Sequence, residues 1–121
     1  MLTTFEGVIV WTEDVQRLLP FYRDVLKLPV EFESEAFIGF RLDETFIGLG
    51  KHSHVKGAAR DPHRVMINFG VDDILAAFEY LRDHGVEFIR EPENEEDAEM
   101  SIATFVDPDG NILQLFGPPL P

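Results

Sequence analysis

Few side chains in this 121-residue chain can do chemistry, and their positions narrow what chemistry is open to them. Cysteine is absent, which removes thiolate metal sites, disulfides and cysteine nucleophiles together. Three of the four histidines, His52, His54 and His63, fall in one polar stretch. A His-x-His pair can bind zinc; on a loop it can equally stay solvated. His84 ends a helical pattern, where an imidazole bonds terminal carbonyls or meets the dipole. The carboxylate pairs Glu13–Asp14 and Asp72–Asp73 each open a helical pattern, and capping is their expected work. Glu6 precedes the first strand as a surface carboxylate, unless a register slip or bulge turns it inward. Gly48 and Gly50 lie on a strand and lack the helix and lysine of a phosphate loop. No catalytic residue is assigned.

Composition bounds the answer further. A hydrophobic content of 45% supports one folded core, so residues 1–121 are expected to form a single domain. The formal charge is −13, and ten Lys and Arg leave no basic patch for phosphates, so nucleic acid is not an expected partner. That charge steers cationic ligands inward, or serves only solubility or a salt-rich habitat. Much of it lies in Glu91 to Glu99, read as a solvated loop. No apolar run approaches the ~20 residues of a membrane span, and no signal pattern opens the chain, so a cytoplasmic address is expected.

The elements that must position any site occur twice. Phe5 to Trp11 reads as a strand, with Thr12 as N-cap of the helix that follows. Val15, Leu18, Leu19, Tyr22, Val25 and Leu26 recur at helical spacing, with Pro20 as a kink or a new start and Pro29 as the stop. Phe32, Phe37 to Leu42 and Phe46 to Leu49 read as short strands, the last two joined at Asp43–Glu44. Gly50 to His63 is the linker between halves, its core placed at 51–63. The second half (about 64–117, against about 1–50 for the first) runs strand (Val65 to Phe69), helix (Ile74, Leu75, Phe78 and Leu81 on one face) and a Gly85 cap. Val86 to Arg90, Met100 to Val106 and Ile112 to Phe116 are its remaining strands. Pro29-Val30-Glu31-Phe32 and Gly85-Val86-Glu87-Phe88 are near-copies. The order is βαβββ, twice, an α+β class.

This duplication resembles the vicinal oxygen chelate superfamily, which includes glyoxalase I, extradiol dioxygenases and bleomycin-resistance proteins. Three segments carry the resemblance: the strand into Glu13–Asp14 with Phe21-Tyr22-Arg23-Asp24-Val25-Leu26, the strand into Val71-Asp72-Asp73, and Asp107-Pro108-Asp109-Gly110-Asn111. It implies two tandem βαβββ modules forming an incomplete β-barrel around a cleft, with helices outside. Period-2 alternation then places Val8, Val10, Ile67, Phe69, Leu113 and Leu115 against the helices. The expected ligand-binding residues are Ile9, Trp11, Phe46, Met66, Asn68, Gln114 and Phe116.

Metal-dependent members hold a divalent ion with four strand residues, typically His, Glu or Gln. Carried over, those positions are Gly7, Gly48, Met66 and Gln114, and only Gln114 offers a suitable donor, so neither metal nor cofactor is expected. The nearest reading is the metal-free bleomycin-resistance-like branch: a metal-independent binding protein, homodimeric by resemblance, that sequesters an amphipathic or cationic small molecule. Two alternatives stand beside it. One is a glyoxalase-like lyase or dioxygenase using Glu6 or the linker histidines; the other is a non-catalytic regulatory or partner domain.

Overall fold

The computed structural model describes residues 1–121, which divide into two compact units, Met1–Gly57 and Ala58–Pro121. The first contains β1 (Gly7–Thr12), α1 (Val15–Leu19), a π-helical continuation (Pro20–Val25), β2 (Val30–Glu33), β3 (Phe37–Leu42) and β4 (Thr45–Lys51). Its sheet has the order β1-β4-β3-β2, with β1 parallel to β4 and the other pairs antiparallel. The second contains β5 (Ile67–Gly70), α2 (Ile74–Asp83), β6 (Glu87–Asn94), β7 (Ser101–Val106) and β8 (Ile112–Gly117). Its order is β5-β8-β7-β6, again with one parallel pair, β5 and β8. Each unit is thus a βαβββ module with an open mixed sheet, and the fold class is α+β as the sequence implies.

Each helix covers one face of its own sheet. Leu18, Leu19, Phe21 and Tyr22 are buried with Val10, Ile38, Phe40, Ile47 and Leu49 in the first unit. Ile74, Phe78 and Leu81 are buried with Ala103, Phe105, Leu113 and Leu115 in the second. Burying an aliphatic or Phe side chain contributes roughly 1.5–3 kcal/mol, so these two layers hold the modules together. No helix is long and apolar enough to cross a membrane.

Several local expectations change. Asp14, not Thr12, caps α1: its carboxylate accepts from the Gln16 amide at 3.0 Å. Thr12 ends β1, fully buried, and its hydroxyl accepts from the Asp14 amide at 3.1 Å. Of the two roles expected of Pro20, it takes the second, a new start, but of a π-helical stretch rather than a regular one. It has no N–H to give the Gln16 carbonyl, and the turn that follows is wider, with the Leu26 amide reaching the Phe21 carbonyl at 2.9 Å. β5 starts at Ile67, so Val65 and Met66 precede it. β6 extends to Asn94, and the stretch from Glu91 to Asn94 belongs to an edge strand rather than a loop. β4 likewise takes Gly50 and Lys51 from the linker.

Other features follow the sequence directly. Asp73 caps α2, and Gly85 (φ 84°) supplies the left-handed residue that ends it. His84 donates from Nδ1 to the Tyr80 carbonyl at 2.7 Å. Asp43, in the turn with Glu44, adopts φ 56°. In the β7–β8 turn the buried Asp107 accepts from the Asp109 and Asn111 amides, each at 2.9 Å, and from the Asn111 side chain at 2.9 Å. Asp107→Ala leaves those amides without their acceptor and is expected to cost about 2–3 kcal/mol, read as a lower urea midpoint at unchanged slope. An unchanged midpoint means the backbone turn alone holds the hairpin.

Candidate functional site

The face of the first sheet turned away from its helix is built from glycine and aromatic rings. Register sets its membership. Trp11 lies opposite Gly50 and Ile9 opposite Gly48; Phe37 lies opposite Gly50, Gly39 opposite Gly48 and Arg41 opposite Phe46; Phe32 lies opposite Gly39. Residues opposite one another share a face. The rings of Phe32, Phe37 and Phe46 meet with centroids 5.7, 6.3 and 6.3 Å apart and planes 8–18° apart. Three parallel rings stacked at ~3.5 Å spacing would put the outer pair ~7 Å apart. The observed triangle fits no such column; near-parallel planes at these separations are offset-stacked, so the rings step past one another and form one aromatic pavement over the glycines. Trp11 meets the Phe37 end edge-on at 6.2 Å.

The glycines are the condition for this paving. A Cβ on Gly39 would lie 2.5 Å from the Phe32 ring, one on Gly48 2.7 Å from Phe37, and one on Gly50 2.5 Å from Trp11. Each ring therefore rests where a side chain would otherwise stand. The pavement stays partly open: Trp11 is 42% exposed, Phe32 47% and Ile9 41%. Its borders are polar. A bulge in β2 between Val30 and Phe32 accompanies a pair in which Glu31 accepts from Arg41 Nε at 2.6 Å, and the Arg41 guanidinium sits 5.6 Å from the Phe46 ring centre. At the other border His52 meets Trp11 edge-on at 5.4 Å.

The corresponding face of the second sheet carries a polar rung between apolar ones, Val106–Ile112 and Ile102–Phe116. Asn68, Gln114, Thr104 and Arg90 form one rung across its four strands. Gln114 Nε2 donates to the Thr104 hydroxyl at 3.2 Å. Arg90 is paired with Glu93 at 2.6 Å and Glu95 at 3.1 Å; the Glu93 hydrogen bond leads in raising its pKa above the usual arginine value. Phe116, opposite Ile102, is half-buried on the same face.

A family model described as the glyoxalase/bleomycin resistance protein/dioxygenase superfamily matches residues 4–115. The chain belongs to this superfamily. Solved structures agree in fold. A protein of unknown function from Agrobacterium tumefaciens is 23% identical, with a TM-score of 0.79 over 97% of this chain and 95% of its own. A glyoxalase/bleomycin resistance protein/dioxygenase from Nocardioides is 19% identical, with a TM-score of 0.75 over 98% and 85%. A family enzyme from Burkholderia phytofirmans is 20% identical, with a TM-score of 0.74 over 93% and 96%. No curated protein matches the chain.

Tested against the superfamily's metal, the residues present do not fit. Gly7 has φ 144°, and a Cβ there would lie 1.9 Å from the Phe46 carbonyl oxygen, so no ligating side chain can stand on it. Gly48 is covered by Phe37 and Phe46. Met66 offers a thioether from outside β5, and Gln114, whose Nε2 donates to Thr104, leaves a single amide oxygen that cannot hold an ion alone. Glu6 is exposed ahead of β1 and accepts from the Thr4 hydroxyl. His52 accepts the His54 amide at Nδ1 (3.1 Å), a bond that a metal at either ring nitrogen would have to displace. No three His, Asp or Glu side chains group where they could hold an ion.

Of the sequence-derived site residues, Ile9, Trp11 and Phe46 share the face of the first sheet turned from its helix, and Asn68, Gln114 and Phe116 share the equivalent face of the second. Met66 has no place in a ladder. Sequence reasoning missed Phe32, Phe37 and Arg41. The signal was present as Phe37-x-Gly39 and Phe46-x-Gly48-x-Gly50, aromatic and glycine at one parity on paired strands.

Gly48→His restores a ligand type at the superfamily position but drives a ring off the floor. It is expected to cost about 1–3 kcal/mol in urea unfolding and to add no zinc affinity by calorimetry. Unchanged stability together with new zinc binding means the rings yield easily and the paving is incidental.

Proposed function

We propose that this superfamily member is a metal-independent binding protein that holds a flat small molecule against the pavement of its first module. One observation carries the reading: rings cover the glycine that stands at a metal-ligand position. The position suits apolar contact rather than the polarising of oxygens. Apolar area of this kind supplies affinity, and a few polar groups at its border supply orientation. Sequestration needs no general acid, base or nucleophile, consistent with a face that carries none. The Phe and Trp faces favour a planar partner, since offset stacking contributes about 0.5–1.5 kcal/mol per ring beyond burial.

Trp11 is the only tryptophan, so its emission reports on the pavement without a label. Flat aromatic compounds are expected to quench it saturably, and Phe37→Ala is expected to weaken that binding about fivefold. Calorimetric titration of metal-stripped, untagged protein with Ni²⁺, Zn²⁺, Fe²⁺ and Mn²⁺ under anaerobic conditions is expected to show no stoichiometric uptake. One-to-one metal binding that survives His52→Ala and His54→Ala overturns the reading in favour of metal chemistry.

A further inference from the structure

The borders of the pavement specify more than a flat shape. Resting on the reading above, we propose that the bound molecule is an elongated planar aromatic with hydrogen-bond acceptors at its two ends, and not an aromatic cation. Both borders present donors. At one, Arg41 gives Nε to Glu31 and a 3.4 Å contact to the Glu44 carbonyl from one terminal nitrogen, which leaves the other terminal nitrogen's hydrogens unshared. At the other, the His54 amide donates to His52 Nδ1, which leaves Nε2–H as the ring's hydrogen-bond donor. The carboxylates nearest the borders are engaged: Glu31 by Arg41 at one end, and Glu13, two residues beyond Trp11, by Arg17 at the other.

Length follows from the strands. The Arg41–Phe46 rung and the Phe37–Gly50 rung are four residues apart along β4, about 13 Å at ~3.3 Å per residue. His52 lies two residues beyond that second rung, so a molecule touching both borders must span at least that distance. Electrostatics agree. The first unit holds six Lys and Arg against nine Asp and Glu, a net of only −3 of the chain's −13, so the acidity lies mostly elsewhere. Phe46 already carries the Arg41 cation near its ring. Electron-rich ring faces accept electron-poor, carbonyl-bearing rings in offset stacking.

Two tricyclic probes of similar size separate the possibilities. Anthraquinone-2,6-disulfonate carries acceptors at both ends; proflavine is a cation with amino donors at both ends. Each is titrated against Trp11 emission in about 150 mM salt, where the Debye length of about 8 Å screens the net charge. The expected result is saturable anthraquinone binding at least about tenfold tighter than proflavine. Arg41→Ala and His52→Ala should each weaken it about fivefold without changing the urea midpoint. Tighter proflavine binding that is lost in Phe37→Ala overturns the ligand class while leaving the pavement site standing. Anthraquinone binding indifferent to both border variants overturns the proposal by placing the probe elsewhere. No quenching by either probe overturns both this inference and the pavement reading beneath it.

Discussion

Close approach between aromatic rings and bare backbone is the constraint from which the candidate site follows. Phe32, Phe37, Phe46 and Trp11 lie where Cβ atoms would be if residues 39, 48 and 50 were not glycine. A glycine in a strand interior costs roughly 0.5–1 kcal/mol relative to alanine, so three on neighbouring strands weaken the sheet they belong to. The rings offset that by covering the exposed backbone with apolar surface. Floor and pavement are interdependent: without the rings the strands lack side chains to pack, and without the glycines the rings cannot lie down.

The two modules show how one architecture carries different surfaces. Equivalent rungs read Ile9–Gly48–Gly39–Phe32 in the first and Asn68–Gln114–Thr104–Arg90 in the second. Strand order and the parallel pair are the same in both, and each keeps an apolar helix-facing layer. The outward parity of this rung differs in kind, one towards apolar contact and the other towards hydrogen bonding and charge. Period-2 alternation permits this, because the two faces of a strand can change independently. Superfamily membership therefore fixes the frame and says little about what either face binds.

Most of the frame was legible in the sequence, because it depends on local rules. Asp73, Gly85 and the Asp107 turn mark their element ends through their own backbone bonds, and alternation sorted Val10, Leu113 and Leu115 from Trp11 and Gln114. Errors fell where a neighbour decides. Thr12 has a capping residue's chemistry, but pairing with Lys51 keeps it in β1 and passes the cap to Asp14. Met66 looks like the third residue's partner in an alternating strand, yet pairing starts only at Ile67. Phe32 reaches the pavement because a bulge resets its register against Gly39, and no single-strand periodicity carries that information. The absent metal donors were visible at once; the rings standing in their place required cross-strand pairing.

The wide turn after Pro20 bears on how such repeats change in length. The helical stretch of the first module runs from Val15 to Val25 and that of the second from Ile74 to Asp83, one residue shorter. An added residue in a regular helix rotates everything beyond it by ~100° and would swing the next strand off its partner. Here the surplus is taken up in a looser coil, and β2 still finds β3. Helix length is thus a tolerant coordinate of this unit, open to insertion and deletion during descent, whereas strand phase is not.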